Sequence, residues 1–304
     1  MGLDANAIRF ILDAKANGAA FDCVATIGRQ TLQIDEQTLG AMLGAYGFDQ
    51  SGHEAHRILS EADGFCEPLL SLLGASEICS IDMSSYQNAV VLHDMNDPLP
   101  ESLRDKFSLV IDGGSLEHVF NFPRAIANCM EMLRVGGRFI ASSPTNNFMG
   151  HGFYQFSPEL YFRVFNAANG FVTERMVIYQ DCWPGTWHDV SDPEQVRQRV
   201  TLINRYPALL LVQARKRAGQ QLFTATPQQS DYVTKWEGTT GPASAKPPEE
   251  PRRTSMFSSI SSFCWAFFGK LAPAGLKKRY RRMTQGPSPY DPRFYRPVGH
   301  PREL

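Results

Sequence analysis

Residues 107–144 read FSLVIDGGSLEHVFNFPRAIANCMEMLRVGGRFIASSP, and this stretch decides the fold. The mostly apolar run 107–111 stops at Asp112-Gly113-Gly114, the pattern of a buried strand giving way to a tight loop. Next, Ile126, Cys129, Met130 and Leu133 fall on one helical face, with Pro123 near the start and Gly136 just past the end. "RFIASSP" is strand-like again. Strand, loop, helix and strand in that order are the repeating unit of a layered α/β sheet.

Working outward, an amphipathic helix near 4–16 precedes a strand at 21–27, and a second helix covers 36–46. "GFCEPLLSLLG" sets Phe65, Leu69, Leu72 and Leu73 at helical spacing before Gly74. "EICSID" ends in Asp82, "AVVLHD" in Asp94 and "FSLVID" in Asp112. Aspartate is common in turns, but three strands in succession that finish on a carboxylate favour one cleft, because ligands of open α/β sheets sit beyond the C-terminal strand ends. After the loop "TNNFMGHGFYQ", Ser157 and Pro158 open a helix, and "FVTERMVIYQ" and "YPALLLVQARKR" close the body as strands.

The 304 residues, 43% of them hydrophobic, suffice for one large core. Six cysteines without a CxxC pair suggest reduced thiols, a cytoplasmic setting and no structural zinc. The N-terminal segment fits neither a signal nor a transit peptide, and Asn6 stands where myristoylation wants Ser or Thr. No run of the roughly 18 apolar residues needed for a span occurs. Residues 1–250 carry 19 Lys/Arg against 29 Asp/Glu, whereas 251–296 carry ten basic residues and one acidic. We therefore expect a folded domain over 1–218, an unpacked Pro/Ser-rich linker over 219–255 and a basic amphipathic segment over 256–304. The stripe at 256–283 is a candidate for peripheral contact with the inner membrane surface, or for packing back on the body. An acidic body makes nucleic acid an unfavoured partner, and the dinucleotide fingerprint of NAD-dependent enzymes is missing.

From Phe21 to Arg217 the chain resembles the class I S-adenosylmethionine-dependent methyltransferases, most specifically over residues 107–144 with "LEHV" and "L-x-x-GG". The resemblance implies a Rossmann-like three-layer α/β sandwich, with a mostly parallel seven-stranded sheet and an antiparallel last strand. It implies S-adenosyl-L-methionine as cofactor. Asp82, with Met83 beside it, would take the ribose hydroxyls, and Asp94 the adenine amino group with Met95 over the ring. Asp112, Gly113 and Gly114 would line the sulfonium end. The usual glycine-rich loop after the first strand is replaced by "TIGRQTLQID". Either 29–62 are an insertion and Gly28 with the Asp63-Gly64 turn does the loop's work, which we favour, or the site has decayed.

For chemistry the candidates are Glu117 and His118 in "SLEHVF", and His151 and Tyr154 in "GHGFYQF", with His151 as general base. Glu117 and His118 could equally cap the following helix, and the aromatics could be a lid or core. Some quinone-pathway O-methyltransferases of similar sequence add an acidic residue three positions before a Glu-His pair to hold a metal. Gly114 stands there, so no metal is expected. The expected function is methyl transfer to a small-molecule, glycan or lipid-linked acceptor, at oxygen. The alternative is a non-catalytic protein of the same fold, serving as a partner-binding or membrane-surface module.

Overall fold

Successive residues of the buried strands point to opposite layers, and this alternation builds the molecule. Val24, Leu109, Ile111, Ile140, Val177 and Leu211 face one core, while Ala25, Val110, Phe139, Ala141, Ile178 and Leu210 face the other. The computed structural model describes residues 2–49, 52–181, 185–240 and 291–298.

In chain order the elements are β1 (Gly2–Asp4), α1 (Ala5–Ala16), β2 (Cys23–Ile27), β3 (Thr31–Gln33), α2 (Glu36–Ala45), α3 (Glu54–Ser60), α4 (Glu67–Leu72), β4 (Glu77–Asp82), β5 (Val91–Leu92) and β6 (Phe107–Asp112). There follow α5 (Phe122–Met132), β7 (Leu133–Asn146), α6 (Pro158–Val164), β8 (Phe171–Gln180), β9 (His188–Val190), α7 (Pro193–Val196), β10 (Ala208–Lys216), α8 (Ser230–Thr240) and β11 (Tyr295–Pro297). Helices α1 to α4 pack on one face of the sheet, α5 and α6 on the other. Because both faces are covered, every residue of β2 and β6 is buried, as parallel strands between helical layers require.

The main sheet runs β11-β9-β8-β10-β7-β6-β2-β4-β5. β5, β4, β2, β6 and β7 are mutually parallel, and β10 is antiparallel to both β7 and β8. This is the expected seven-stranded order with its reversed last strand. Among the described residues, β9 and β11 extend it to nine strands, both antiparallel. After β2 the chain crosses to β4 and β5 and then returns to β6 on β2's other side. The topological switch point therefore lies between β2 and β6.

Three features differ from the sequence reading. A separate parallel pair, β1 with β3, joins the N-terminal residues to the loop after β2. Part of the expected linker is helical: α8 is fastened by the Ser230 N–H donating to Glu159 Oε1 (2.9 Å) and by the Arg199–Asp231 ion pair (2.9 Å). These partners lie outside the segment itself, so its composition did not reveal the anchorage. Finally, Phe294 and Tyr295, inside the expected tail, are buried in the main core. Residues 241–255 and the amphipathic stripe at 256–283 lie outside the described residues.

If β11 belongs to the domain, Tyr295→Ala leaves a core cavity and lowers the unfolding free energy by about 3–5 kcal/mol in denaturant titration. An exposed tail residue would change it by less than about 0.5 kcal/mol.

Candidate functional site

The turn after β6 starts the site. Asp112 Oδ1 accepts from the Ser115 N–H (2.9 Å), and Leu116–His118 form one 3-10 turn that swings the Glu117 side chain inward. The loop after β7 then folds back over it. Phe153 and Tyr154 N–H groups both donate to the Glu117 carbonyl (2.9 and 3.2 Å). Gly152 makes this approach feasible: a Cβ there would lie 2.9 Å from the Glu117 carbonyl oxygen and 3.2 Å from His118 Nδ1.

The fold-back sets His151 Nε2 3.5 Å from Glu117 Oε1, with the His118 and His151 rings 5.2 Å apart. These groups line a cavity of about 280 Å³ beyond the ends of β6, β7 and β10, one strand along from the switch point. Asp4, Gln33, Asp181 and Ser142 complete its polar wall, with Pro144, Phe148 and Leu209 as apolar contacts and no Lys or Arg among the lining residues. The wall suits a neutral or cationic guest better than an anion.

Glu117 and Asp112 are wholly buried. Neither Glu117 oxygen, nor Asp112 Oδ2, has a hydrogen-bond partner. Burial pushes both carboxyls well above their ordinary range, and the nearby Asp112 charge pushes Glu117 further. Burial and the neighbouring His151 depress His118.

Of the residues predicted from sequence, Gly113, Gly114, Glu117, His118 and His151 meet at this cavity, and Asp112 stands behind it. Tyr154 does not join them: its hydroxyl donates to the Phe120 carbonyl (2.6 Å), and its ring stacks on Phe156. Asp82, at the end of β4, is half-buried and accepts from the Ser84 N–H (2.9 Å), with Met83 exposed beside it. Asp94 caps its own turn, accepting from Asn96 N (2.8 Å) and Nδ2 (2.7 Å), which lowers its pKa; Met95 is buried. Gly28 is left-handed, its N–H donating to the Ile81 carbonyl. Asp63 and Gly64, both with positive φ, end a 3-10 turn before α4, and none of Gly28, Asp63, Gly64, Asp82, Met83, Asp94 and Met95 lines the cavity.

The switch point itself is filled by protein. Gln30 is fully buried, and its amide donates to the Ile27 carbonyl and to Ser115 Oγ (3.1 Å), tying the end of β2 to the turn after β6. Over Gly113 lie the Gln30 side chain and Leu3, whose Cδ2 would be 2.9 Å from a Cβ at that position. Gln30 and Leu3, rather than Gly28 or the Asp63-Gly64 turn, are the residues that lie over Gly113. Arg29 spans the neighbouring gap, pairing with Glu67 (2.6 Å), donating to the Gln87 carbonyl (3.2 Å) and lying over the Phe65 ring. Leu3 and Gln30 thus occupy the space along Gly113 that an S-adenosyl group would need, whereas the Asp82 carboxylate at the end of β4 is half-buried with one oxygen engaged by the Ser84 N–H.

Asp4, Gln30, Ser142 and Asp181 were not foreseen. Asp4 had a signal, as the N-cap of α1; Gln30 had none, since its partners are a distant strand end and a distant turn.

No protein-family model matches the chain, and no curated protein matches it. Structural neighbours include S-adenosylmethionine-dependent methyltransferases and related Rossmann-fold enzymes, at low sequence identity. A Listeria monocytogenes protein provisionally assigned as such a methyltransferase shares 14% identity over 70% of this chain and 100% of that one, with a TM-score of 0.39. The Burkholderia thailandensis 1,6-didemethyltoxoflavin-N1-methyltransferase, bound to its substrate and S-adenosylhomocysteine, shares 14% over 70% and 78%, with 0.37. The Thermus thermophilus branched-chain polyamine synthase, in complex with N4-aminopropylspermidine and 5'-methylthioadenosine, shares 13% over 75% and 61%, with 0.36. At TM-scores this low the likenesses carry no argument about residues, and the α/β class rests on this chain's own strand order.

The two buried carboxyls give a stability test. Their folded pKa values lie above the ordinary 3.8 and 4.5. The protonated forms therefore stabilise the fold fully below those ordinary values, and that contribution is lost as pH rises through the raised ones. In chelator-treated protein, Glu117→Gln should raise Tm at pH 8 and change it little at pH 4; an equal effect at both pH values would refute the assignment.

Proposed function

We propose that the chain is an S-adenosylmethionine-dependent methyltransferase acting at an oxygen of a small-molecule, glycan or lipid-linked acceptor. The observation that carries this reading is the sheet order β5-β4-β2-β6-β7-β10-β8 with Asp82 at the end of β4. That order sets the Asp82 carboxylate close to a topological switch point, which supports a ribose-binding role for it. The cofactor would supply an electrophilic methyl group, so the protein's task is mainly alignment.

The chain's own residues divide that task. Asp82 takes the ribose hydroxyls as a carboxylate acceptor. The cavity next to Gly114 receives the acceptor, and the Glu117–His118–His151 wall takes its proton. A lining without Lys or Arg favours a neutral or cationic acceptor over a phosphorylated one. A cytoplasmic setting belongs to the same reading, supported by four buried free thiols, Cys23, Cys66, Cys79 and Cys129. Among the described residues no helix is long and apolar enough to cross a membrane.

Leu3 and Gln30 over Gly113 favour a second reading, a fold of this class that binds partners without the cofactor. Calorimetry with S-adenosylmethionine separates the two. On the first reading the wild type binds, and Asp82→Ala weakens binding roughly 10- to 100-fold, the value of about 1.5–3 kcal/mol for hydrogen bonds to a charged group. Leu3→Ala, which thins the cover, tightens it. Absence of binding by folded wild type and by folded Leu3→Ala would exclude the first reading and favour the second.

A further inference from the structure

Glu117 and His118 adjoin in sequence, and the residue three positions before Glu117 is Gly114, so the local sequence offers two ligands and no third. The fold brings the third from the loop after β7. One ligand atom from each of Glu117, His118 and His151 lies within 4.8 Å of the others.

Three further observations distinguish this cluster from a chance meeting of polar side chains. Glu117 is 0% exposed, and neither of its oxygens has a hydrogen-bond partner, an arrangement that disfavours a carboxylate unless a cation joins it. The cavity it faces also holds Asp4 and Asp181 and no basic side chain. The loop carrying His151 is pinned to Glu117 itself, through the Phe153 and Tyr154 N–H groups on its carbonyl, so two ligands are positioned by one backbone contact.

We propose that Glu117, His118 and His151 form a binding site for a divalent transition-metal ion of the zinc type, with an open coordination position facing the cavity. Two imidazoles and a carboxylate are a donor set for zinc and for ferrous iron rather than for calcium or magnesium, which prefer all-oxygen shells. The separation of 3.5 Å between His151 Nε2 and Glu117 Oε1 is already close to that of two ligands on one ion. Bonds of about 2.0–2.1 Å in tetrahedral geometry give roughly 3.3 Å. Both imidazoles are exposed and can turn to close the rest. Three protein ligands leave one position open, the arrangement of catalytic rather than structural sites. That position would take a water or hydroxyl oxygen and make it more acidic. With an ion bound, Glu117, His118 and His151 would be ligands rather than bases; the ion would lower the pKa of a bound acceptor hydroxyl, and its proton would pass to water in the cavity. The site does not depend on methyl transfer, since it is defined by these side chains whether or not S-adenosylmethionine binds.

The test uses the full-length, chelator-stripped protein, titrated with Zn²⁺ by calorimetry and with Co²⁺ by visible absorption. Circular dichroism melts establish that each variant is folded. We expect one ion per chain and ligand-field bands of a low-coordinate nitrogen/oxygen site. His151→Ala, a change at an exposed residue, should weaken binding at least about a hundredfold, and Glu117→Gln likewise. Gly152→Ala removes no ligand atom, but its Cβ would meet Glu117 Cγ and His118 Nδ1 at 3.2 Å, so it should weaken binding about tenfold. No ion bound by the folded wild type would overturn the proposal, and so would equal binding by folded His151→Ala, which would place the ion elsewhere. Either result would leave the S-adenosylmethionine calorimetry to stand on its own.

Discussion

The carbonyl oxygen of Glu117 accepts two N–H groups from the loop after β7, and the site depends on that contact. It folds the His151 loop back across the turn after β6. It also holds the Glu117 side chain beneath the loop, out of water, where the carboxylate has no partner of its own. Gly152 permits the approach on one side; on the other, Gly114 would bring a Cβ within 3.2 Å of the carboxylate. A buried carboxyl without a hydrogen bond costs stability, and chains retain such groups chiefly where a site uses them.

The second constraint lies one strand away. An open α/β sheet splays its strand ends at the switch point, and polar backbone there must be satisfied by a ligand or by the protein. Here the protein does it. Gln30 bridges the end of β2 to Ser115, and Leu3 is laid over Gly113 by the β1–β3 pair. The N-terminal strand is held there by Asp4, which caps α1 through the Ala7 N–H and accepts from the Tyr179 hydroxyl (2.9 Å) at the end of β8. The crevice is thus divided into a half-open end at Asp82, a covered centre and an open cavity at Glu117. An occupant of the centre must displace Leu3 and Gln30, so binding there is coupled to the position of the chain's first residues.

Much of the architecture was legible because it rests on short-range patterns. Short apolar runs in "FSLVID" and "ALLLVQARK", the 3.6-residue stripe of "AIANCMEML" and the Pro and Gly punctuation around it each reflect a local preference that packing reinforces. Glu117, His118 and His151 were legible as polar residues in loops at strand ends. Tyr154 was misleading for a physical reason: an aromatic side chain in a site loop looks the same in sequence whether its hydroxyl faces a cavity or, as here, a backbone carbonyl.

Residue order alone indicated the layered α/β alternation and the aspartates at the ends of β4 and β6, which follow from periodicities and turn residues acting over a few positions. The parallel sheet with one strand reversed near the end was what the family resemblance implied. Only the folded chain decided that Gln30 and Leu3 fill the switch point, that His151 closes a three-ligand cluster with Glu117 and His118, and that Tyr295 belongs to the core. Those are contacts between segments far apart in sequence. The free energy that selects them comes from shape, burial and hydrogen-bond geometry at the meeting point, which no local pattern encodes.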